Sequence, residues 1–320
     1  MKISVALATY NGEDFLAEQL QSFSTQTRRP DEIIISDDNS TDGTLQLIEK
    51  FQLETDILIK VVKNKSGQGV AKNFSNALGN TSGDLILLSD QDDIWIANKV
   101  EIYETYFMKN PHVQLILSDA LIFQGAFKSE NRTKLDYFKE RSFNFDSFCT
   151  GCCMGFRRSF MEVSLPIPSE GYAHDVWLND VALALGSREV LDLTTMYYRR
   201  HFKNVSDHIS SNIFRLGYYD EFLALTKQKK TRDRNKSHVI HSGILLDHFT
   251  RLRKAKPELT YDFDSIIEKI NAQNKFDLQR GKIANQNFLV RLWMSLRFLL
   301  NGGYRNYNGI RSVVKDIFFP

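Results

Sequence analysis

Residues 82–95 read SGDLILLSDQDDIW, and this stretch decides the fold class. The apolar run over 84–89 is typical of a short strand buried on both faces of a sheet. It ends directly in DQDD at 90–93, where three carboxylates lie within four residues. Carboxylates this close repel one another, so such a cluster usually needs a compensating cation. Oxygen ligands suit hard divalent ions, which predicts a Mg²⁺ or Mn²⁺ site, although a solvated acidic turn is the alternative.

Outward from this strand, apolar strand patterns alternate with helical patterns. Strands are predicted at 3–9, 32–36, 57–62, 84–89 and 113–118, and helices between them at 43–53, 70–79 and 97–108. The alternation predicts an α/β fold with a mostly parallel sheet covered by helices. The alternation of strand and helix patterns stops at about residue 120. Beyond it, the patterns predict a long loop over 120–148, a strand within 149–158, a helix over 175–186 and strands near 189–193 and 195–200. Helices are predicted at 213–229, 238–255, 262–280 and 286–300.

Three predicted strands end in polar residues. TYNG follows the first strand at 9–12, DDNS follows the second at 37–40, and DQDD follows the fourth. Ligands of open parallel sheets bind at the carboxyl ends of strands, so these three loops predict a common binding edge. Each loop alone is also an ordinary turn sequence, because Asp, Asn and Gly are good turn formers.

Composition limits the class of protein. The chain has 320 residues with 41 Lys and Arg, 39 Asp and Glu, and three cysteines, which excludes disordered, collagen-like and coiled-coil proteins. Three cysteines cannot build a disulfide framework and indicate a reducing compartment. The first residues turn polar too early for a signal peptide, and no apolar run reaches the roughly 18 residues of a membrane span. A cytoplasmic protein with no nucleic acid partner is expected.

The charge is unevenly distributed. Residues 1–200 hold 20 basic and 28 acidic side chains, whereas residues 201–320 hold 21 and 11. Basic clusters occur at 227–236 and 251–256, and the segment 286–300 combines apolar residues with Arg291 and Arg297. A basic region with an amphipathic helix predicts peripheral association of residues 201–320 with the inner face of the plasma membrane. The alternative is a helical bundle that packs on the catalytic domain.

Several motifs carry a family resemblance. ATYNG at 8–12, ISDDNSTDGT at 35–44, SGDLILLSDQDDIW at 82–95 and HDVW at 174–177 resemble the inverting glycosyltransferases of family 2, which have the nucleotide-sugar-binding GT-A fold. The order of DQDDIW, TGCCMGF, HDVW and YRRH, with the ending NGGYRNYNGIRSVVKDIFF, is similar to the bacterial rhamnosyltransferase branch. The resemblance implies a GT-A catalytic domain over 1–205, with a donor half of about 1–118 and an acceptor half of about 119–205. A helical region over 206–320 follows it.

The resemblance also implies an activity: metal-dependent, non-processive transfer of a sugar with inversion, in cell-surface polysaccharide synthesis. The favoured donor is dTDP-L-rhamnose, and the acceptor is a glycan, best a lipid-linked one. Two alternatives stay open: a UDP-hexose donor, and a non-catalytic module that binds sugar or Ca²⁺. A zinc site from the cysteines and His174 is disfavoured because CxxCC lacks a second ligand pair.

Roles for the donor site follow from the matching motif positions. Thr9 would meet the pyrimidine base, and Asp38 would bind the base or ribose. Asp90 would lie near the ribose, Asp92 would hold the metal that bridges the diphosphate, and Asp93 would support it.

The remaining roles concern the transfer step. Asp175 in HDVW matches the catalytic base, although the family commonly has Glu-Asp where this chain has His-Asp. Without the resemblance, a first-turn acid of a helix is the simpler interpretation of Asp175. Arg199 and His201 match a late basic element that closes over the diphosphate, and the doubled arginine leaves Arg199 and Arg200 as alternatives.

Overall fold

The computed structural model describes residues 1–64, 69–124, 128–140, 145–168, 172–201, 231–304, 307 and 309–318, with backbone alone at 124, 128–131, 231–237 and 311. The predicted helix 213–229 and the first part of the basic cluster 227–236 lie outside the described residues. The chain divides into two compact units. The first comprises Met1–Tyr137 and Phe148–Asn204, and the second comprises Phe138–Ser147 and Val205–Pro320.

The first unit is built on one twisted sheet. Its described strands are β1 (Ile3–Thr9), β2 (Glu32–Asp37), β3 (Leu58–Lys63), β4 (Leu85–Ser89), β5 (Ile94–Trp95), β6 (Leu115–Gln124), β7 (Lys128–Thr133), β8 (Met154–Arg157) and β9 (Arg188–Arg200). They are ordered β3-β2-β1-β4-β8-β6-β9-β5, and β7 pairs with β6. The four strands at the β3 side are all parallel, and β6 is parallel to β9. The α/β fold class predicted from the alternating patterns is therefore confirmed.

Helices connect and cover these strands. They are α1 (Leu16–Ser24), α2 (Thr44–Glu54), α3 (Val70–Gly79), α4 (Lys99–Lys109), α5 (Lys134–Glu140), α6 (Arg158–Ser164) and α7 (His174–Ala184). α1 shows why they form: Leu16, Leu20 and Phe23 recur at helical spacing and are at most 1% exposed. β1, β2 and β4 are buried on both faces, which explains their continuous apolar sequence.

The parallel register positions the site. Thr9 at the end of β1 pairs with Asp37 at the end of β2, and Leu7 pairs with Ser89 at the end of β4. The loops that follow these three strands therefore leave the sheet side by side.

The second half of the sheet departs from the sequence-based prediction. The long loop expected over 120–148 is wrong: β6 runs on to Gln124, and β7 and α5 follow it. β9 is one strand, not two, and pairs with β6 through two register shifts. Within 149–158 only Met154–Arg157 is a strand, preceded by a 3₁₀ turn at Gly151–Cys153. Pairing with distant strands overrides local composition here.

The second unit is helical in its described part. It contains α8 (Thr231–Ala255), α9 (Phe263–Ala284), α10 (Phe288–Leu300) and α11 (Ile310–Phe318). Side-chain caps begin two of them, since Asp262 accepts from the Ser265 amide and Asn287 from the Val290 amide. A small core joins α9, α10 and α11 through Ile283, Phe298, Tyr304, Val313 and Ile317. Within the described part of the chain, no helix has the length and apolar character needed to cross a bilayer.

Candidate active site

The loops after β1 and β4 are joined by one side chain. Gln91 accepts from the Tyr10 amide at 2.8 Å and donates to the Tyr10 carbonyl at 3.0 Å. Gly12 makes room for this contact, because a Cβ at that position would lie 2.4 Å from Gln91 Oε1. The acidic loop is thereby fixed against the loop that carries TYNG.

The loops after β1 and β2 are joined by hydrogen bonds to carboxylates. The Thr9 hydroxyl donates to Asp37 Oδ1 at 2.9 Å, and Asp37 Oδ2 accepts from the Ser40 amide at 2.9 Å. Asp38 is 7% exposed and accepts from Asn64 Nδ2 and from the Gly69 amide, each at 2.9 Å. The structure thus places the two predicted base and ribose residues, Thr9 and Asp38, at the ends of two adjacent strands, with Asp38 held by its neighbours.

The acidic loop encloses a cluster of three groups. Oxygen atoms of Asp90 and Asp93 and the Cys152 sulfur lie within 4.8 Å of one another. Burial, together with the charges of Asp92 and Asp175, raises the pKa of Asp90 to about 7. Burial and the charges of Asp92 and Asp90 raise the pKa of Asp93 well above its usual range. The cluster therefore crowds acidic groups whose burial and mutual repulsion favour their protonated forms.

Two buried lysines lie close to this cluster. Lys99 is fully buried, donates to the Cys152 carbonyl at 2.6 Å, and lies 4.3 Å from the centre of the Trp95 ring. Lys134 lies 3.4 Å from the centre of the Tyr198 ring, and its charge lowers the pKa of Asp90. Burial lowers the pKa of Lys99, although the charges of the nearby cysteines and aspartates oppose this shift. These internal cations offset part of the carboxylate charge.

The end of β9 lies against the acidic loop. β9 pairs with β5, which directly follows DQDD, and the Arg199 amide donates to Asp93 Oδ1 at 3.1 Å. The Arg199 guanidinium donates to the Asp92 carbonyl at 2.8 Å and to the Glu18 carboxylate. His201 Nε2 lies 2.8 Å from Asp92 Oδ2, and its ring stacks on Phe15 at 4.3 Å. The structure therefore brings Arg199, His201 and Asp92 together.

Asp175, the second residue of α7, lies near the acidic loop. It lies in the first turn, accepts from the Val176 amide at 2.9 Å, and is close enough to Asp90 to raise its pKa. The neighbouring His174 stacks on Phe74 at 4.0 Å, and its buried Nε2 has no hydrogen-bond partner. Burial lowers the pKa of His174 despite the Asp175 charge. A Cβ at Gly151 would lie 2.7 Å from His174 Nε2, so a side chain at this position would require the His174 ring to shift.

The donor set fits a hard divalent ion. Asp93 Oδ2 is buried without a hydrogen-bond partner, and a cation would satisfy it. Burial raises the pKa of the Cys152 thiol, which favours the neutral thiol over a thiolate ligand. Two carboxylates with Asp92 beside them match oxygen-preferring Mg²⁺ or Mn²⁺ better than zinc. The predicted assignment of the metal to Asp92 stays a prediction, because the clustered carboxylates are those of Asp90 and Asp93.

Several site residues were not anticipated from the sequence. Lys99 and Lys134 resemble any helix lysine, and Cys152 resembles a small core residue. The sequence offered one signal for Lys99. This residue lies only four positions after Trp95, the last residue of DQDDIW, so it is close to the acidic loop along the chain. No comparable signal existed for Lys134, because its segment was expected to be a loop.

Comparison with known proteins places the chain in a family. The sequence model described as Glycosyl transferase family 2 matches residues 4–164. The dTDP-rhamnosyl transferase RfbG of Shigella flexneri is 31% identical over 224 residues, or 62% of this chain and 72% of RfbG. WfaP of Escherichia coli, a UDP-Glc:alpha-D-GlcNAc-diphosphoundecaprenol beta-1,3-glucosyltransferase, is 30% identical over 64% of this chain and 79% of WfaP. The putative glycosyltransferase EpsE of Bacillus subtilis is 32% identical over 122 residues, which span only 44% of EpsE.

The fold has a counterpart among solved structures. TarS 1–349 of S. aureus, solved in complex with UDP, superposes with a TM-score of 0.54 at 18% identity, covering 96% of this chain and 89% of that one. At this identity the likeness concerns the fold alone. The family match rests on the sequence over residues 4–164, which include the loops after β1, β2 and β4: the chain belongs to glycosyltransferase family 2 and is a transferase enzyme with the GT-A fold.

Proposed function

We propose that the protein transfers a sugar from a nucleoside diphosphate donor to a glycan acceptor, with inversion and with a bound divalent ion, in cell-surface polysaccharide synthesis. The observation that carries this proposal is the junction of three strand-end loops, in which Gln91 fixes DQDD against Tyr10. Thr9 and Asp38 in two of these loops are suited to meet the base and ribose of the donor. DQDD in the third is suited to the diphosphate end.

The leaving group needs positive charge. A divalent ion at the acidic loop would stabilise negative charge on the departing diphosphate. We assign its binding to Asp92, with Asp90 and Asp93 beside it. His201 is positioned by Asp92 and Phe15 to donate to a phosphate oxygen.

Arg199 and Arg200 have different surroundings. The Arg199 guanidinium already binds Glu18 and the Asp92 carbonyl, and it lies 5.0 and 4.7 Å from the rings of Phe15 and Phe123. Its first role is therefore to fix β9 against the acidic loop. Arg200 lies 5.9 Å from the Tyr198 ring and is half-buried. We infer that Arg200 is the better candidate for direct contact with the diphosphate.

The acceptor hydroxyl needs a base on the face of the sugar opposite the leaving group. One base suffices for a single displacement, which inverts the anomeric carbon. Asp175 fits this role because it is only partly buried and lies close enough to Asp90 for its charge to act on that carboxyl group.

Two donors are supported by different relatives. RfbG, whose name specifies dTDP-rhamnosyl transfer, supports dTDP-L-rhamnose, and this is the donor we favour. WfaP, whose name specifies UDP-glucose, supports a UDP-hexose and covers a similar share of this chain. The name of WfaP also specifies a diphosphoundecaprenol acceptor, which supports a lipid-linked acceptor here. A lipid-linked acceptor would require the protein to work at a membrane surface.

A donor panel tests the proposal. Purified protein is incubated with dTDP-L-rhamnose, UDP-glucose, UDP-galactose or UDP-GlcNAc in the presence of Mg²⁺ or Mn²⁺, and nucleotide release is measured. We expect nucleotide release from one donor, and we expect this release to stop in excess chelator.

Asp92→Ala should abolish release, while Asp56→Asn, which alters an exposed acid remote from the loop, should not. Turnover of UDP-hexoses alone would reject the rhamnose assignment, and full activity in chelator would reject the metal role. Calcium binding without any nucleotide binding would support the non-catalytic module.

A further inference from the structure

One side of α10 is apolar and faces solvent. Leu289, Trp293, Leu296 and Leu300 follow one another at helical spacing and are 74, 60, 47 and 86% exposed. The opposite side carries Phe298, which is buried in the core of the second unit. An amphipathic helix of a globular protein normally turns its polar side outward. The core of this unit therefore does not account for the exposed side of α10.

α11 extends this surface. Ile310, Val314 and Phe318 recur every four residues and are 73, 41 and 56% exposed. The Phe318 ring lies 5.7 Å from the ring of Phe288, which is itself 46% exposed at the start of α10. The two exposed apolar sides are therefore continuous. We call this surface the α10–α11 face; it comprises Phe288, Leu289, Trp293, Leu296, Leu300, Ile310, Val314 and Phe318.

The charged residues of this segment are basic apart from one buried acid. Residues 281–320 contain six basic side chains and a single acid, Asp316. Asp316 is fully buried and accepts two hydrogen bonds of 2.8 Å from Arg280, so it contributes no exposed negative charge. Arg297 lies at the border of the face, 5.3 Å from the centre of the Trp293 ring. An apolar surface with Arg297 at its border, in a segment that has six basic residues and one buried acid, is complementary to an anionic, partly apolar partner.

We propose that the α10–α11 face binds the surface of an anionic lipid bilayer. Its leucines and aromatic rings would enter the boundary between headgroups and acyl chains, and its cations would contact lipid phosphates. Trp and Arg are suited to that depth. A second copy of the chain is a weaker occupant, because a two-fold contact would bring the same cations together. Membrane binding by this face rests on the proposed function only for its biological role, which is to give the enzyme access to a lipid-linked acceptor.

Tryptophan fluorescence gives a direct test. The chain has three tryptophans; Trp95 and Trp177 are 3 and 0% exposed, so only Trp293 can respond strongly to a new environment. The full-length protein is mixed with vesicles of phosphatidylcholine alone or with phosphatidylglycerol. With anionic vesicles we expect a blue shift, quenching by brominated acyl chains, and co-sedimentation that salt weakens. Trp293→Phe should keep most co-sedimentation and lose the shift.

Variants locate the contact. Leu289→Glu combined with Leu300→Glu should lower vesicle partitioning at least tenfold. The matched control, Leu53→Glu with Leu278→Glu, changes two exposed leucines outside the face and should partition normally. Nucleotide release with a soluble acceptor should be the same for all of these variants, so a failure of membrane binding is distinguishable from a failure of the proposed transfer. Protein that stays in the supernatant with an unshifted spectrum would overturn the proposal. Self-association that shields Trp293 without lipid would assign the face to a second copy.

Discussion

Asp175 is the residue that we propose as the catalytic base. It lies in the first turn of α7, and it is partly exposed while its neighbour His174 is buried. Asp175→Asn keeps the shape of the side chain but cannot accept a proton. We expect donor binding to persist and transfer to fall by roughly the 10²–10⁴-fold that general base catalysis contributes.

The measurement is a pair of assays on the same variant: nucleotide affinity by calorimetry and sugar transfer by product formation. Asp192→Asn, on an exposed position of β9, is the control for loss of one negative charge. Normal transfer by Asp175→Asn would remove this residue from the mechanism.

The pKa of Asp90 predicts how metal binding depends on pH. Because burial and the charges of Asp92 and Asp175 raise this pKa to about 7, much of the Asp90 population is protonated below neutral pH. A divalent ion favours the charged form, so its binding should release a proton and strengthen as the pH rises from about 6 to 8. Titration of Mn²⁺ in two buffers of different ionisation enthalpy measures both effects. An affinity that does not change over this range would contradict the prediction.

At the residue scale, the sequence predicts properties that depend on neighbouring residues in the chain. It does not predict contacts between residues that are distant in the chain. DQDD reveals its charge repulsion directly, and HDVW indicates an acid at the start of a helix. The position of Lys134 over the Tyr198 ring, by contrast, depends on the course of β6 and β9. Nothing in the sequence around His174 shows that its ring stacks on Phe74 from a different helix.

α9 and α11 are joined by a buried ion pair. Arg280 and Asp316 are 7 and 0% exposed at the side chain, and the Tyr304 hydroxyl also donates to Asp316 at 2.8 Å. Arg280→Met would leave a buried carboxylate without its partner, which costs about 3–5 kcal/mol. We expect faster hydrogen exchange in α11 and a lower urea midpoint. Arg280→Met combined with Asp316→Leu should recover much of the loss, and equal damage by the single and double changes would contradict this account.

Glu32 at the start of β2 predicts an acid-dependent contribution to stability. Burial would raise its pKa, but hydrogen bonds from Ser4, Ser82 and Lys2 outweigh burial and lower it to about 2. A lowered pKa stabilises the fold above the unfolded pKa of about 4.3, and the gain is lost as the pH falls toward 2. The unfolding free energy of the wild-type protein should exceed that of Glu32→Gln by at most about 3 kcal/mol. This difference should shrink as the pH falls from 5 to 2. An advantage that is constant with pH would contradict this assignment.

The sequence predicts those strands and helices whose local hydrophobic pattern is sufficient to specify them. β1, β2 and β4 are continuous apolar runs between turn signals, and their predicted bounds lie within one residue of the observed ones. β7 reads KSENRT and has no apolar alternation; it is a strand because it pairs with β6. α11 was not predicted as a helix, and its burial depends on Ile283 and Phe298 in the neighbouring helices.

At the scale of the whole chain, charge and structure divide in a similar way. Residues 1–200 carry a net charge of −8 (20 basic minus 28 acidic), and residues 201–320 carry +10 (21 minus 11). The structure separates two compact units at nearly the same place, at Asn204 and Val205, apart from Phe138–Ser147. The difference in net charge can be read from the sequence because net charge is a sum over residues. The packing within each unit depends on specific distant pairs, such as Arg280 with Asp316.

This charge division predicts a difference between two assays of the same enzyme. Attraction of a basic region to an anionic leaflet contributes about 1 kcal/mol for each Lys or Arg near the surface, and it is screened within a Debye length of about 8 Å at physiological ionic strength. Donor binding inside the enclosed acidic loop is screened less. Added salt should therefore reduce transfer to a lipid-linked acceptor in anionic vesicles more steeply than transfer to a soluble acceptor of the same glycan.

The comparison is made by initial rates over a series of salt concentrations, with Lys282→Gln combined with Arg297→Gln as the variant. Both side chains are exposed, so the change removes surface charge and leaves the core intact. The variant should lower the vesicle rate, flatten its salt dependence, and leave the soluble rate unchanged. Equal salt dependence in the two assays would mean that the basic region plays no part in reaching the acceptor, because screening would then act on the catalytic unit alone.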